Sequence, residues 1–120
     1  MMDLAQLDAA GSHAVEIAEQ TEAYLRNHYA EALTNTLLAD ELHFHYNYLT
    51  RCMKRVYGLT PMEYLTDYRL EQAKLLLLKT EIPVSAIAER TGFESTAYFS
   101  RRFTGKIGIS PLRYRKRYSR

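Results

Sequence analysis

The sequence predicts an all-α protein of about seven helices, and three observations support this prediction. Apolar residues recur at helical spacing along most of the chain. Ser or Thr stands before several of these stretches, twice with Pro directly after it, which is typical of a helix start. We find no stretch with the sustained alternation of apolar and polar residues that is typical of a strand.

An internal repeat divides the chain. Residues 49–64 return about fifty positions later as residues 99–114, and four pairs are identical: Arg51/Arg101, Gly58/Gly108, Pro61/Pro111 and Tyr64/Tyr114. Upstream, residues 38–44 correspond to residues 87–93 with an offset of 49, so the second copy has one extra residue in its turn. Two copies are too few for a solenoid, which needs at least three repeats. We therefore interpret the repeat as two copies of one functional device.

The first half of the chain is predicted to contain three helices. Residues 1–14 lack a sustained apolar period and include Gly11, so we expect a tail or an interdomain linker there. Helical spacing begins at Val15. Thr34 or Thr36 can cap a short second helix that ends near Leu42. A turn over residues 43–45 then leads into a third helix over about residues 46–57.

A long connecting helix is predicted over about residues 60–79. Thr60 can cap it, Pro61 suits its first position, and Glu63 completes a capping box. Its last part, residues 75–78, is four consecutive leucines, which predicts burial between two subdomains.

Three further helices are predicted after the connecting helix. The fifth begins near Pro83 and ends before Gly92. Ser95 can cap a sixth helix that runs from Thr96 to about residue 105. Ser110 and the proline after it open a short seventh helix with a basic tail.

Composition and charge narrow the class of protein. The chain has 120 residues and is 47% apolar, which is enough for one domain with a core. Residues 1–60 carry a net charge of −4 and residues 61–120 a net charge of +6. Eight basic residues and no acidic one follow position 98. Such polarised charge suits a polyanion such as nucleic acid, although charge runs are more generally solvated faces.

The cysteine count and the motifs of the sequence predict a cytoplasmic protein without cofactors. Cys52 is the only cysteine, so an internal disulfide is excluded and a reducing compartment is expected. We find neither a secretion signal nor a run of apolar residues long enough to span a membrane. We also find no phosphate-binding loop, nucleophile elbow or metal-ligand spacing, so we do not expect an enzyme.

The third helix carries a polar face on one side. Asn47, Thr50, Arg51 and Lys54 lie at helical spacing opposite an apolar face. A short helix, a tight turn and a second helix with such a face describe a helix-turn-helix, whose second helix enters the major groove of DNA. A small helical bundle also exposes polar faces. Two copies with Arg at the same helical position favour the DNA-binding interpretation.

Two further stretches carry a family resemblance. Residues 92–103, Gly-Phe-Glu-Ser-Thr-Ala-Tyr-Phe-Ser-Arg-Arg-Phe, and residues 108–115, Gly-Ile-Ser-Pro-Leu-Arg-Tyr-Arg, closely resemble the signature of the AraC/XylS transcription factors. Residues 69–77 in the connecting helix resemble it too, and the match covers roughly residues 15–118. The resemblance implies two helix-turn-helix units joined by a long helix, with both recognition helices entering successive major grooves on one DNA face.

The resemblance also implies domain bounds and site residues. The first unit would cover about residues 15–58, the connecting helix about 60–79, and the second unit about 80–120. The base-reading residues would be Asn47, Thr50, Arg51, Thr96, Ala97, Ser100 and Arg101. Arg suits guanine, Asn suits adenine, and Thr or Ala suits the methyl group of thymine. We assign Lys54, Arg55, Arg102, Lys106 and Arg113 to DNA phosphates. Alternatively, Arg51 could form a salt bridge with Glu41, and Arg101 with Glu94.

The first turn departs from the family pattern at two positions. His43 stands where the family usually has Gly, and we expect this residue to adopt a positive φ at some energetic cost. His45 stands where the family usually has a Ser or Thr cap, and it is a weaker cap. The two histidines could also suggest a metal pair, but we find no third ligand. Cys52 falls on the apolar face and is interpreted as a small buried hydrophobe.

These features predict a sequence-specific DNA-binding domain of a bacterial transcription regulator. The alternative is a helical adaptor whose basic end binds an acidic protein. The expected partners are double-stranded DNA, RNA polymerase and, as the family often has one, a sensor domain in the full-length chain. We favour a fragment of a longer regulator over a stand-alone protein.

Overall fold

The computed structural model describes the backbone of residues 4–119 and the side chains of residues 11–119. Within this part of the chain there are seven helices and no strand, which confirms the predicted all-α class. The helices are α1 (Leu4–His28), α2 (Asn35–Leu42), α3 (Tyr46–Tyr57), α4 (Pro61–Lys79), α5 (Val84–Arg90), α6 (Thr96–Ile107) and α7 (Pro111–Tyr118). None of these helices combines the length and apolar character of a membrane span.

Helix α1 begins earlier than the sequence predicted. We expected a tail or linker over residues 1–14, but residues 4–14 form the first turns of α1. Five of the seven residues from Leu4 to Ala10 are Leu or Ala, and both residue types favour helix strongly. Ala14 is already part of the core at 7% exposure, so the packed face of α1 begins before Val15. The first three residues lie outside the described part.

The chain divides into two compact units, and α4 contributes to both. The first unit consists of the residues up to His28 together with Leu33–Leu65. In it α1 packs chiefly against α3, and α2 lies against both helices. Apolar residues of each element fill its core: Ala14, Ile17, Ala18, Leu25, Leu38, Leu49, Cys52, Met53 and Leu65.

A polar network ties three helices of the first unit together. Glu22 of α1 accepts hydrogen bonds from the hydroxyl groups of Tyr57 (3.1 Å) and Tyr64, which lie on α3 and α4. Arg26 donates to the Tyr64 hydroxyl at 2.9 Å. Burial, and then the hydrogen bond to Glu22, raises the pKa of Tyr57 to about 12. The same two causes raise the pKa of Tyr64. Both phenols therefore stay protonated and donate at neutral pH.

The second unit consists of Tyr29–Ala32 and the chain from Thr66 onward. Its core is formed by residues of α4, α5 and α6 and the turn between the last two: Leu70, Ala73, Leu77, Ile87, Ala88, Phe93, Phe99 and Phe103. The predicted burial of all four leucines at the end of α4 is wrong. Leu75 is 44% exposed and Leu78 36% exposed, because only the face with Leu77 turns toward this core.

Within the second unit, Arg69 of α4 forms hydrogen bonds with the segment Tyr29–Ala32. Its guanidinium donates to the carbonyl oxygens of Tyr29 (2.7 Å) and Glu31 (2.8 Å). Burial lowers the pKa of Arg69, whose ordinary value is far above neutral, so the group remains charged and its hydrogen bonds are charge-assisted.

Helix caps fall where the sequence signals predicted them. Thr34 caps α2, Ser95 caps α6 and Ser110 caps α7, each through its side-chain oxygen. At the start of α4 the Thr60 amide donates to Glu63 at 2.9 Å and the Glu63 amide donates to Thr60 at 3.1 Å, a complete capping box. The hydrogen bonds that the Glu63 carboxylate accepts from the Thr60 backbone and side chain lower the pKa of Glu63. Side-chain caps thus fix where α2, α4, α6 and α7 begin.

Candidate nucleic-acid interface

Each unit contains two helices joined by a tight turn, and the two turns are closed in the same way. His43 follows α2 with φ 60° and ψ 34°, the left-handed conformation that we predicted. It is the only residue other than Gly with positive φ in the described chain. At the corresponding position of the second turn, Gly92 has φ 87°. The amide of Phe44 donates to Ala39, and the amide of Phe93 donates to Ala88.

The starts of the two second helices differ. Ser95 accepts a hydrogen bond from the Tyr98 amide at 3.0 Å and so caps α6. His45 occupies the same place before α3, and its side chain makes no capping hydrogen bond. The prediction of a weaker cap in the first unit is therefore confirmed, since one of the free amides of α3 lacks the partner that α6 has.

Helix α3 presents the predicted polar face to solvent. Leu49, Cys52 and Met53 are buried, whereas Asn47, Arg51, Lys54 and Arg55 are exposed. Thr50 is half-buried, and its hydroxyl oxygen is buried without a hydrogen-bond partner in the part of the chain that the structure describes. The part of Thr50 that remains accessible is therefore apolar.

Helix α6 repeats this arrangement. Phe99 and Phe103 are fully buried, and the opposite face is open to solvent. Of the predicted residues on α6, Ser100 is half-buried and the others are exposed: Thr96, Ala97, Arg101, Arg102 and Lys106. The structure thus places the predicted base-reading residues of each unit on the accessible side of one helix.

The two arginines that correspond in the repeat have the same neighbour. The guanidinium of Arg51 lies 5.8 Å from the ring centre of Tyr48, and that of Arg101 lies 6.0 Å from the ring centre of Tyr98. Neither arginine forms an ion pair with Glu41 or Glu94 in the described residues, so the alternative salt bridges are not seen. Both guanidinium groups remain available to a ligand.

The predicted phosphate-binding residues differ in their surroundings. Lys106 forms an ion pair with Asp67 at 3.5 Å, and both side chains are partly exposed. Arg113 is exposed in the first turn of α7, beside the Ser110 cap. Its neighbour Arg115 instead points inward and donates to the carbonyl oxygen of Leu77 at 3.1 Å. The basic tail of α7 is therefore not a uniform solvent-facing patch.

Tyr48 and Tyr98 were missed as site residues in the sequence, although a signal was present. They form one more identical pair at the offset of 50 that relates Arg51 to Arg101. Burial raises the pKa of Tyr48, and the neighbouring Cys52 thiol adds to the shift. Among the described residues, no three His, Cys, Asp or Glu side chains are grouped as a metal site would require.

Comparison with known proteins identifies the family. A family model described as a helix-turn-helix domain matches residues 38–117, which include both turns and both polar helices. The C-terminal domain of AraT, a response regulator from Geobacillus stearothermophilus, has a similar structure, with a TM-score of 0.83 and 35% identity over 87% of each chain. The chain belongs to the AraC-type helix-turn-helix family.

Two further proteins are similar to this chain in sequence or structure. The HTH-type transcriptional regulator YisR of Bacillus subtilis is 42% identical over 104 residues, which is 87% of this chain and 36% of YisR. The DNA-binding domain of AdpA, a global transcriptional factor solved in complex with a target DNA, matches with a TM-score of 0.80 and 27% identity. That match covers 84% of this chain and 91% of the AdpA chain. The matches with curated relatives span about a third of the length of those proteins, with shares of 36%, 39% and 32%.

Proposed function

We propose that this AraC-type chain is the sequence-specific DNA-binding part of a transcription regulator. One observation carries the proposal: the two units expose the same polar helix face, with Arg51 and Arg101 at equivalent positions and free of ion pairs in the described residues. Helices α3 and α6 would each enter a major groove and read successive segments of the site. An exposed Arg can bind guanine through two hydrogen bonds.

The other residues of the two faces suit different base contacts. Asn47 is exposed and can pair with the N6 and N7 groups of adenine. Thr50 has its hydroxyl buried, so its methyl group is what it offers, and this suits the methyl group of thymine. Thr96 and Ser100 can donate or accept one hydrogen bond each, while Ala97 offers only an apolar contact.

Phosphate binding would come from the cations around these faces. Lys54, Arg55, Arg102 and Arg113 are exposed and can approach the DNA backbone. Lys106 can do so by exchanging Asp67 for a phosphate, since an exposed ion pair contributes only about 0–1 kcal/mol. These contacts would hold the protein on DNA without specifying sequence.

The remaining partners belong to the longer regulator that we propose. The matched regions cover only 36%, 39% and 32% of the first three relatives, which leaves room in such proteins for a sensor domain. We propose a sensor domain and RNA polymerase as partners and the cytoplasm as the location. The proposed role is binding rather than catalysis.

Selection from a random duplex library followed by gel shifts would test the proposed function. We expect one enriched sequence and an affinity that falls steeply with salt, because each neutralised phosphate releases counterions. Random DNA of equal length is the control, and it should bind more weakly with a similar salt dependence. Recovery of no preferred sequence would contradict the proposal and favour an adaptor that binds an acidic protein through its basic surface.

A further inference from the structure

The arginine–tyrosine pair is part of a longer contact that occurs in both units. In the first unit the ring of Tyr48 lies 5.6 Å from the ring of Phe44, a residue of the turn. In the second unit the ring of Tyr98 lies 6.2 Å from that of Phe93, the corresponding turn residue. Each unit therefore has a continuous path from the turn, through a tyrosine, to the exposed arginine.

The contacts are the same in both units although the spacing between the turn phenylalanine and the tyrosine differs. Tyr48 follows Phe44 by four positions, but Tyr98 follows Phe93 by five, because the second turn is one residue longer. In both units the arginine follows the tyrosine by three positions, a spacing that makes the two residues neighbours on a helix surface. The same contacts are present in both units even though the backbone that leads to them differs.

The turn phenylalanine of the second unit is anchored in the core. Phe93 is 7% exposed and packs against Phe99 with ring centres 5.0 Å apart. Tyr98 itself is 39% exposed, so it lies between this core and solvent. Because the Tyr98 ring is held against the core, it can restrict the motion of the neighbouring Arg101 side chain.

We propose that Tyr48 and Tyr98 are positioning residues that hold Arg51 and Arg101 for base reading. An exposed arginine loses rotamer freedom when it binds guanine through two hydrogen bonds, and this loss weakens binding. A ring under the guanidinium restricts it before DNA arrives. The planar group can lie on the ring face and still direct its donors outward. This proposal rests on the proposed DNA-binding function.

The expected effect is small but specific. A cation–π contact at an exposed site contributes about 0.5–1 kcal/mol, which corresponds to about a two- to fivefold change in affinity. The change should appear at the base pair read by the arginine, because phosphate contacts do not depend on the tyrosine. Random DNA should bind with unchanged affinity.

The first experiment observes the free protein by NMR. The side-chain Nε–H signal of Arg101 should be shifted by the ring of Tyr98 and should show restricted motion. Tyr98→Leu should move this signal to its ordinary position and increase the motion, whereas Tyr98→Phe should preserve both. An Arg101 signal that does not change in Tyr98→Leu would overturn the proposal, whatever the protein does with DNA.

The second experiment is a double-mutant cycle on a selected duplex and on the duplex with the arginine-read base pair changed. Tyr98→Leu should reduce discrimination between the two duplexes by two- to fivefold, and Tyr98→Phe should retain it. In an Arg101→Ala background, Tyr98→Leu should have no further effect. An equal loss in both backgrounds would show that Tyr98 supports only the fold, and would overturn the proposal.

Failure of the proposed function would look different. If Arg101→Ala changed affinity equally on every duplex, base reading by Arg101 would be wrong, and the positioning proposal would be overturned with it. The NMR measurement would then still report whether Tyr98 restricts Arg101. The corresponding variants of Tyr48 and Arg51 provide a replicate in the first unit.

Discussion

Gly92 lies so close to Tyr29 that a Cβ atom at position 92 would be 2.5 Å from the Tyr29 carbonyl oxygen. The same Cβ would be 2.8 Å from Nε of Arg69, which donates to that carbonyl. Gly92 therefore meets two demands at once, a positive φ and the close approach of another segment of backbone. The second turn depends on this contact.

Gly92→Ala should destabilise the protein more than Gly108→Ala does. Both positions have positive φ, but a Cβ at Gly108 would meet no atom of the described residues within 4 Å. We expect about 1–2 kcal/mol for Gly108→Ala from backbone strain alone, and about 2–4 kcal/mol for Gly92→Ala because the contact with Tyr29 must also yield. Urea unfolding of both variants measures this difference, and equal losses would show that the close approach is not important.

His43→Gly should be neutral to stabilising, by up to about 1 kcal/mol. The observed φ of 60° strains a residue with a Cβ, and Gly removes that strain. The greater freedom of Gly in the unfolded chain offsets part of the gain. His43→Ala is the matched control, since it keeps the Cβ and should not stabilise. A loss of more than about 1 kcal/mol in His43→Gly would mean that the imidazole makes a stabilising contact.

His45→Ser should stabilise the first unit, and Ser95→Ala should destabilise the second. Ser95 caps α6 through the Tyr98 amide, while α3 has no side-chain cap. An N-cap contributes about 0.5–2 kcal/mol, so the two variants should shift the free energy of unfolding in opposite directions by about that amount. If His45→Ser gave no gain in thermal unfolding, the weaker cap would have no energetic consequence.

The stability of the first unit should fall as the pH rises from 10 to 12. The pKa of Tyr57 is raised from 10 to about 12 in the folded protein, so the unfolded chain loses this proton first. The associated stability is complete below pH 10 and is lost on the way to pH 12. Tyr64 contributes in the same direction. Urea unfolding at pH 9 and pH 11 should show a smaller pH dependence for Tyr57→Phe than for the wild type, and an identical dependence would contradict the assignment.

Local sequence signals predicted most of the helices. The early start of α1 depends on tertiary packing, and these signals did not predict it. The starts of α4, α6 and α7 follow from Thr60, Ser95 and Ser110, whose caps act within one helical turn. The start of α1 was missed because residues 1–14 lack a sustained apolar period and include Gly11. Gly weakens a helix by only about 1 kcal/mol, which the packing of Ala14 and its neighbours can offset.

The candidate site was predictable to a similar degree. Helical periodicity, together with the family resemblance, placed Asn47 and Arg51 on an exposed face, and the repeat did the same for Arg101. The pairing of Lys106 with Asp67 joins residues of two helices and leaves no trace in local sequence. The buried hydroxyl of Thr50 depends on a side-chain rotamer, which sequence does not specify.

In the proposed function Arg51 and Arg101 read bases, and a comparison of specificity profiles tests this role. The profiles of the wild type, Arg51→Ala, Arg101→Ala and Lys54→Ala would be measured on every single-base variant of a selected duplex. We expect each arginine variant to lose about 1–3 kcal/mol at its own base pair and to discriminate less there. Lys54→Ala should weaken binding to all duplexes about equally, because phosphate contacts do not depend on the base sequence. Equal losses on all duplexes for both arginine variants would show that neither Arg51 nor Arg101 reads a base.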